Sequence, residues 1–142
     1  MSIRAILSTK GHDVVSLGSD ATVGDAVRLL AERRIGALPV IDGGRVVGIM
    51  SERDLVYCLA ADGAAALDKT VGEVMTAPPV TVPPDLPAIA ALSLITQRRI
   101  RHLPVTEDGT LVGFVSIGDL VKHRIDAIEG EAEAMRTYIQ GA

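Results

Sequence analysis

Two serine–aspartate pairs have the residue types and the spacing to bind hydroxyl groups or to begin a helix. Ser51-Glu52-Arg53-Asp54 and Ser116-Ile117-Gly118-Asp119 share the pattern S-x-x-D, which as a capping box satisfies the first backbone N–H groups of a helix. Each serine directly follows an apolar run. The helix N-terminus would therefore open at the end of a strand, where free N–H groups and the helix dipole favour an anion or a cluster of hydroxyls. Capping and ligand contact are compatible, and both stay open here.

Cationic side chains form the second candidate group. The phrase "RRIGALPV" at residues 33–40 returns as "RRIRHLPV" at 98–105, with Arg101 and His102 in place of Gly36 and Ala37. A guanidinium group presents a planar fork of donors suited to phosphate, and a histidine adds a donor whose charge varies near neutral pH. Neighbouring residues of a strand face opposite sides, so at least one of the pair can line a cleft, although both could point to solvent.

These groups lie on a unit that the chain uses twice. Shifting the sequence by 65 residues aligns residues 15–56 with 80–121 without a gap, and 17 of the 42 aligned positions are identical. Such self-similarity indicates one supersecondary unit in tandem.

Each unit predicts the order β-α-β-β-α. In the first, "VVSL" (14–17) is a short strand, Thr22 and Asp25 begin a helix, and "ALPVI" (37–41) and "RVVGIM" (45–50) form a hairpin around "DGG". A second helix follows at about 52–61. The second unit repeats this order, beginning with "VTV" (80–82). We predict an α/β fold in which the two repeats pack on each other, because each alone would leave one sheet face bare.

The predicted boundaries are repeat one at 8–61, a linker at 62–70, repeat two at 71–128 and a helical tail at 129–142. Residues 71–75 form a short helical turn. The tail prolongs the last helix, and its apolar positions at 125, 128, 135 and 139 are predicted contacts for a partner subunit.

Composition excludes several classes of function. The formal net charge is −4, which gives no overall field for nucleic acid. A single cysteine, Cys58, fits a reducing compartment, so a cytoplasmic location is expected, and there is neither a signal-peptide core nor an apolar membrane span. No metal-ligand spacing and no pairing of a nucleophile with a base appear, so an enzyme is not expected and catalytic and metal residues are predicted as none.

The tandem unit, with "LPV", the endings "GIMSERD" and "GFVSIGD" and the opening "VMTAPPVTV", resembles a CBS-domain pair, the Bateman module, over about residues 8–128. The resemblance implies a pseudo-twofold, two-sheet disc that binds adenosine-containing ligands between the repeats and often dimerises. It implies a regulatory module for AMP, ATP or NAD, acting on an unknown effector. The alternative is an adaptor that dimerises or docks with empty clefts.

The resemblance also assigns roles in two unlike clefts. Asp54 and Asp119 would accept hydrogen bonds from ribose hydroxyls, with Ser51 and Ser116 near the phosphate. Arg101 and His102, with Arg53, would meet the phosphate of the ligand in the Asp54 cleft.

The Asp119 cleft would receive Gly36 and Ala37 instead, which leave room but no charge. Lys10 could supply a cation there, or could be an ordinary partner of a helix C-terminus. Val15 and Val80 would offer backbone groups and an apolar wall to adenine, with a place in the core as the equal alternative, and Thr76 would lie near the base.

Overall fold

The computed structural model describes residues 1–141 and consists of two similar α/β halves joined by a short helical segment. The first half contains α1 (Ile3–Lys10), α2 (Val23–Arg33), β1 (Ala37–Asp42), β2 (Arg45–Ser51) and α3 (Glu52–Asp62). A 3₁₀ helix (Gly63–Asp68) and α4 (Val71–Val74) follow. The second half contains α5 (Ala88–Arg98), β3 (His102–Glu107), β4 (Thr110–Ser116) and α6 (Ile117–Gly141).

The repeated elements keep the 65-residue offset that the sequence predicts. The starts of α2 and α5, β1 and β3, and β2 and β4 all differ by 65 positions. Both hairpins have the same register, with a shift after Val40 in one and after Val105 in the other. The α/β class and the tandem packing of two repeats are therefore confirmed.

The first strand of each predicted unit is wrong in extent. "VVSL" and "VTV" form only single parallel bridges, Leu17 with Val40 and Val82 with Val105. After Val82, Pro83 has no backbone N–H to continue a ladder. In the first half the chain turns instead, and the N–H of Ala21 donates to the Gly18 carbonyl.

The four strands form one antiparallel sheet in the order β1-β2-β4-β3. The hairpins meet at a single paired position, Arg45 with Thr110. The two-sheet arrangement implied by the resemblance thus appears as two hairpins that touch at one end and diverge from there.

Each half has its own core, and the segment that precedes a repeat packs into the core of the other repeat. Ile3, Ile6 and Leu7 of α1 lie in one cluster with Leu103 and Leu120 of the second half. Ala66 and Val71, which precede the second repeat, lie in the core of the first half. Within the predicted linker 62–70, which contains the 3₁₀ helix, Ala66 is buried and most other residues are exposed. The domain limits 8–61 and 71–128 stay predictions.

Gly48 in β2 and Gly113 in β4 are equivalent positions of the two repeats, and each leaves room for residues that cross from the other repeat. A Cβ at Gly113 would lie 2.6 Å from the Leu7 side chain, and one at Gly48 would lie 2.5 Å from the Met75 sulfur and 2.9 Å from the Thr76 carbonyl oxygen. A larger residue at Gly113 would force the Leu7 side chain to move, and one at Gly48 would also press on the Thr76 backbone. Met75 and Thr76 cross β2 beside Gly48, so Thr76 lies near the end of that strand.

Candidate functional site

A cavity of about 710 Å³ lies between the two repeats, at the ends of β2 and β3. It brings together nine of the twelve residues that the sequence singled out: Gly36, Ser51, Arg53, Asp54, Thr76, Val80, Arg101, His102 and Ser116. The others that line it are Ile49, Glu52, Pro78, Pro79, Arg98, Arg99, Ile100, Ile117 and Gly118. Gly36 and Ser116, which were expected at the Asp119 cleft, line this cavity instead, whereas Lys10, Val15 and Asp119 do not line it.

Asp54 is fixed at the N-terminus of α3 by three donors. Its Oδ2 accepts hydrogen bonds from the backbone N–H and the hydroxyl of Ser51, both at 2.9 Å, and its Oδ1 accepts one from the Thr76 hydroxyl at 2.8 Å. The backbone N–H of Asp54 donates in return to Ser51 Oγ at 3.3 Å. Asp54 therefore caps α3 and lines the cavity at the same time, because a carboxylate has further lone pairs that can accept hydrogen bonds from a ligand's hydroxyls.

Thr76 reaches Asp54 because its backbone is pinned to β2. The N–H of Thr76 donates to the Ile49 carbonyl at 2.9 Å, and the Ile49 N–H donates to the Thr76 carbonyl at 3.0 Å. The chain then runs through Pro78, Pro79 and Val80 along the cavity. These side chains form an apolar wall beside the carboxylate, a surface suited to a flat ring.

The lining is also strongly basic. Arg98 is the last residue of α5, Arg99 and Arg101 lie between α5 and β3, and Arg53 lies on α3. The Arg53 guanidinium donates from Nη1 to the Arg99 carbonyl at 3.2 Å, which ties the two repeats together. Arg98 and Arg99 were missed as site residues, although the density of charge in "RRIRH" is a signal that could have found them.

Glu52 is the one acidic lining residue besides Asp54, and sequence reasoning also missed it. Its backbone N–H donates to the Gly36 carbonyl at 3.0 Å, just as the Ile117 N–H donates to the Arg101 carbonyl at 2.8 Å in the other repeat. A Cβ at Gly36 would lie 3.5 Å from the His102 ring and 3.7 Å from the Glu52 carboxylate. Gly36 thus lies in contact range of both side chains, and a Cβ there would fit without a clash.

His102 does not supply the variable charge that the sequence suggested. Its ring stacks on Phe114 with the centroids 5.5 Å apart. Burial, together with the positive charges of Arg101 and Lys10, lowers the pKa of His102 to about 4, although Asp119 acts in the opposite direction. The expectation of a charge that varies near neutral pH is therefore wrong. His102 is a neutral ring that can donate or accept one hydrogen bond.

This lowered pKa predicts that the protein loses stability in mild acid. The unfolded chain binds the proton at a pKa near 6.5, but the folded chain only near 4. Unfolding therefore takes up a proton between these values, and stability falls as the pH drops through that window. After allowance for the partly exposed ring, we expect a loss of about 1–2 kcal/mol by pH 5.

Urea unfolding from pH 7.5 to pH 5 measures this slope. His102→Phe keeps the stack on Phe114 and should flatten the slope, whereas His12→Gln, at an exposed position, should not. A slope that survives in His102→Phe would assign the loss to other groups.

In the equivalent position of the second repeat, Lys10 pairs with Asp119. Its ammonium group donates to Asp119 Oδ2 and to the Phe114 carbonyl, both at 2.6 Å. Burial alone would raise the pKa of Asp119, but the hydrogen bonds from Lys10 and the Ser116 backbone outweigh it, and the pKa is lowered. Lys10 therefore does lie at the Asp119 cleft, where it forms an ion pair with the carboxylate.

The CBS domain model matches residues 3–61 and 71–126, which together are most of the chain. This chain belongs to the CBS domain family. The duplicated unit is therefore a CBS pair, and the cavity lies between its two repeats.

Three proteins illustrate the relationship. The chain is 36% identical over 128 residues to the mitochondrial CBS domain-containing protein CBSX3 of Arabidopsis thaliana, covering 87% of this chain but 62% of that protein. The CBS-domain protein ATU1752 of Agrobacterium tumefaciens superimposes with a TM-score of 0.83 at 41% identity, over 87% of this chain and 92% of its own. CBSX2, whose structure was solved in complex with AMP, has a TM-score of 0.71 and 30% identity, with 81% and 90% covered.

Two further observations bear on partners. Within residues 1–141, no three His, Cys, Asp or Glu side chains come together as a metal site would require. No helix in that range combines the length and the apolar character needed to cross a bilayer.

Proposed function

We propose that this CBS pair is a regulatory module that binds an adenine nucleotide such as AMP, ATP or NAD in the Asp54 cavity, without catalysis of its own. The observation that carries the proposal is the polarity of the cavity. Its lining includes a carboxylate fixed beside apolar residues and four arginines, Arg53, Arg98, Arg99 and Arg101. A ribose diol, a purine and a phosphate need this set of partners.

Each part of the ligand has a matching group. The ribose hydroxyls would donate to Asp54, the purine would lie along Pro78, Pro79 and Val80, and the phosphate would point toward Arg101. Guanidinium groups bind phosphate oxygens in a bidentate way that few other side chains offer. That CBSX2 was solved with AMP supports the same ligand class here.

Thermal unfolding in the presence of AMP, ADP, ATP, NAD and S-adenosylmethionine tests the proposal, with adenosine and inorganic phosphate as partial ligands. A ligand at a hundred times its Kd stabilises a protein by about 2.7 kcal/mol, which corresponds to a rise in Tm of roughly 8 °C for a chain of this size. No shift with any of the panel would favour the adaptor alternative, in which the chain docks on a partner with its cleft empty.

Self-association is part of the same proposal. Val56 and Tyr57 on α3 and Ile89 on α5 are each more than 60% exposed, which is unusual for large apolar side chains. We expect a homodimer at micromolar concentration, with light scattering giving twice the 14.9 kDa of the chain. A mass of 14.9 kDa under those conditions would contradict it. The cytoplasmic location, and an effector protein of unknown identity, stay predictions that follow from the sequence.

A further inference from the structure

The final helix carries an apolar stripe that its own fold does not cover. Along α6, apolar residues recur at alternating intervals of four and three: Val121, Ile125, Ile128, Ala132, Met135 and Ile139. The five large members are 42%, 49%, 49%, 59% and 66% exposed in chain order. A 4-3 alternation over 19 residues is the a/d pattern of a coiled coil.

This stripe is separate from the face that α6 uses to join the domain. Leu120 is fully buried in the second core, and His123 and Ala127 are half-buried. These positions lie beside the stripe and account for the packing of α6 on the second half. The stripe from Val121 to Ile139, about 27 Å long at 1.5 Å per residue, is thus available to another chain.

The charges that flank the stripe specify how a second copy would align. With Ile125 and Ile139 at position a, Arg124 and Glu131 are at g, and Glu129 and Arg136 are at e. In a parallel pair, a g residue faces the e residue five positions further along the partner. Arg124 then faces Glu129 of the partner subunit, and Glu131 faces Arg136 of the partner subunit. Both pairs are attractive.

The antiparallel arrangement with the same overlap reverses this result. It is centred on residue 130, and it pairs e with e and g with g. Glu129 would face Glu129 of the partner subunit, Glu131 would face Glu131 of the partner subunit, and Lys122 would face Arg136 of the partner subunit. All three contacts are repulsive, and shifting the register to avoid them removes apolar layers.

We propose that residues 121–139 of α6 form a parallel two-stranded coiled coil with the same helix of a second copy of this chain. The small Ala132 at the central a position allows the two helices a close approach in the middle of the stripe. The inference rests on the proposed self-association and deepens it by adding α6 as a contact surface and by giving the direction of the two chains. It does not depend on nucleotide binding.

Disulfide capture tests the direction. In a Cys58→Ala background, which removes the native thiol, Ile139→Cys places a thiol at an a position where a parallel coil brings the two copies together. Thr137→Cys, at an f position on the outer face, is the matched control. Under mild oxidation we expect a covalent dimer from Ile139→Cys and little from Thr137→Cys. Equal yields, or capture by Ala132→Cys without capture by Ile139→Cys, would overturn the parallel arrangement.

Charge reversal tests the same register without new thiols. Glu131→Arg and Arg136→Glu each turn two attractive contacts per dimer into repulsive ones, so each should raise the dimer dissociation constant by about tenfold in sedimentation experiments. The double variant should recover at least half of that loss. Single and double variants with the dimer affinity of the unaltered chain would overturn the inference, and ligand-induced shifts in Tm for the same variants report separately on the nucleotide site.

Discussion

Asp54→Ala is expected to weaken AMP binding by roughly ten- to a hundredfold. A hydrogen bond to a charged group is worth about 1.5–3 kcal/mol, and the ribose diol in the proposed pose would lose its carboxylate acceptor. The residue is already held by Ser51 and Thr76, so little of the binding energy is needed to order it. Isothermal titration calorimetry on the variant and the unaltered protein measures the change.

Asp119→Ala is the matched control, because it removes the equivalent carboxylate from the same motif in the other repeat. Asp119 is paired with Lys10 rather than exposed to the cavity, so AMP affinity at the Asp54 site should stay within about twofold. Asp54→Asn separates charge from capping, because an amide oxygen can still cap the helix. Full affinity in both Asp54 variants would return the motif to a purely structural role.

The repeat explains why so much of the fold could be predicted. Because the offset has no gap, each helix and strand is predicted independently in both repeats. The hairpins and the helices after them accordingly lie where the sequence predicts them. The first strand of each predicted unit, however, is wrong in extent. The runs at 14–17 and 80–82 have strand composition, yet each forms a single bridge, since a neighbouring proline or turn ends the ladder after one residue.

The sequence did not predict that α1 packs in the core of the second half. Ile3, Ile6 and Leu7 mark an apolar helix face, but nothing local states which core receives it. The same limit applies to Lys10. Its spacing indicated a cation near the Asp119 cleft, whereas only the three-dimensional arrangement shows the 2.6 Å ion pair with Asp119. The prediction that the charge of His102 varies near neutral pH was wrong for a related reason, because burial and two neighbouring cations lower its pKa.

The unequal clefts lead to a prediction about phosphate. The Asp54 cavity is lined by Arg53, Arg98, Arg99 and Arg101, whereas Lys10 is already neutralised by Asp119 on the other side. AMP should therefore bind first at the Asp54 site and more tightly than adenosine. If each guanidinium contributes about 1 kcal/mol in a partly solvated cavity, two of them amount to roughly a thirtyfold preference.

The double variant Arg98→Ala/Arg101→Ala should remove that preference. We expect AMP affinity to fall by about thirtyfold while adenosine affinity changes by less than about threefold, because adenosine carries no phosphate to lose contact with. Raising the salt concentration should weaken AMP more than adenosine for the same reason, since screening acts on the charge contacts. Arg33→Ala/Arg34→Ala is the control, because it removes the same charge at the equivalent turn of the first repeat, outside the cavity. Calorimetry with both ligands on all three proteins decides the matter: an AMP-to-adenosine ratio that falls equally in the two double variants would mean that net charge, and not the cavity wall, selects the ligand.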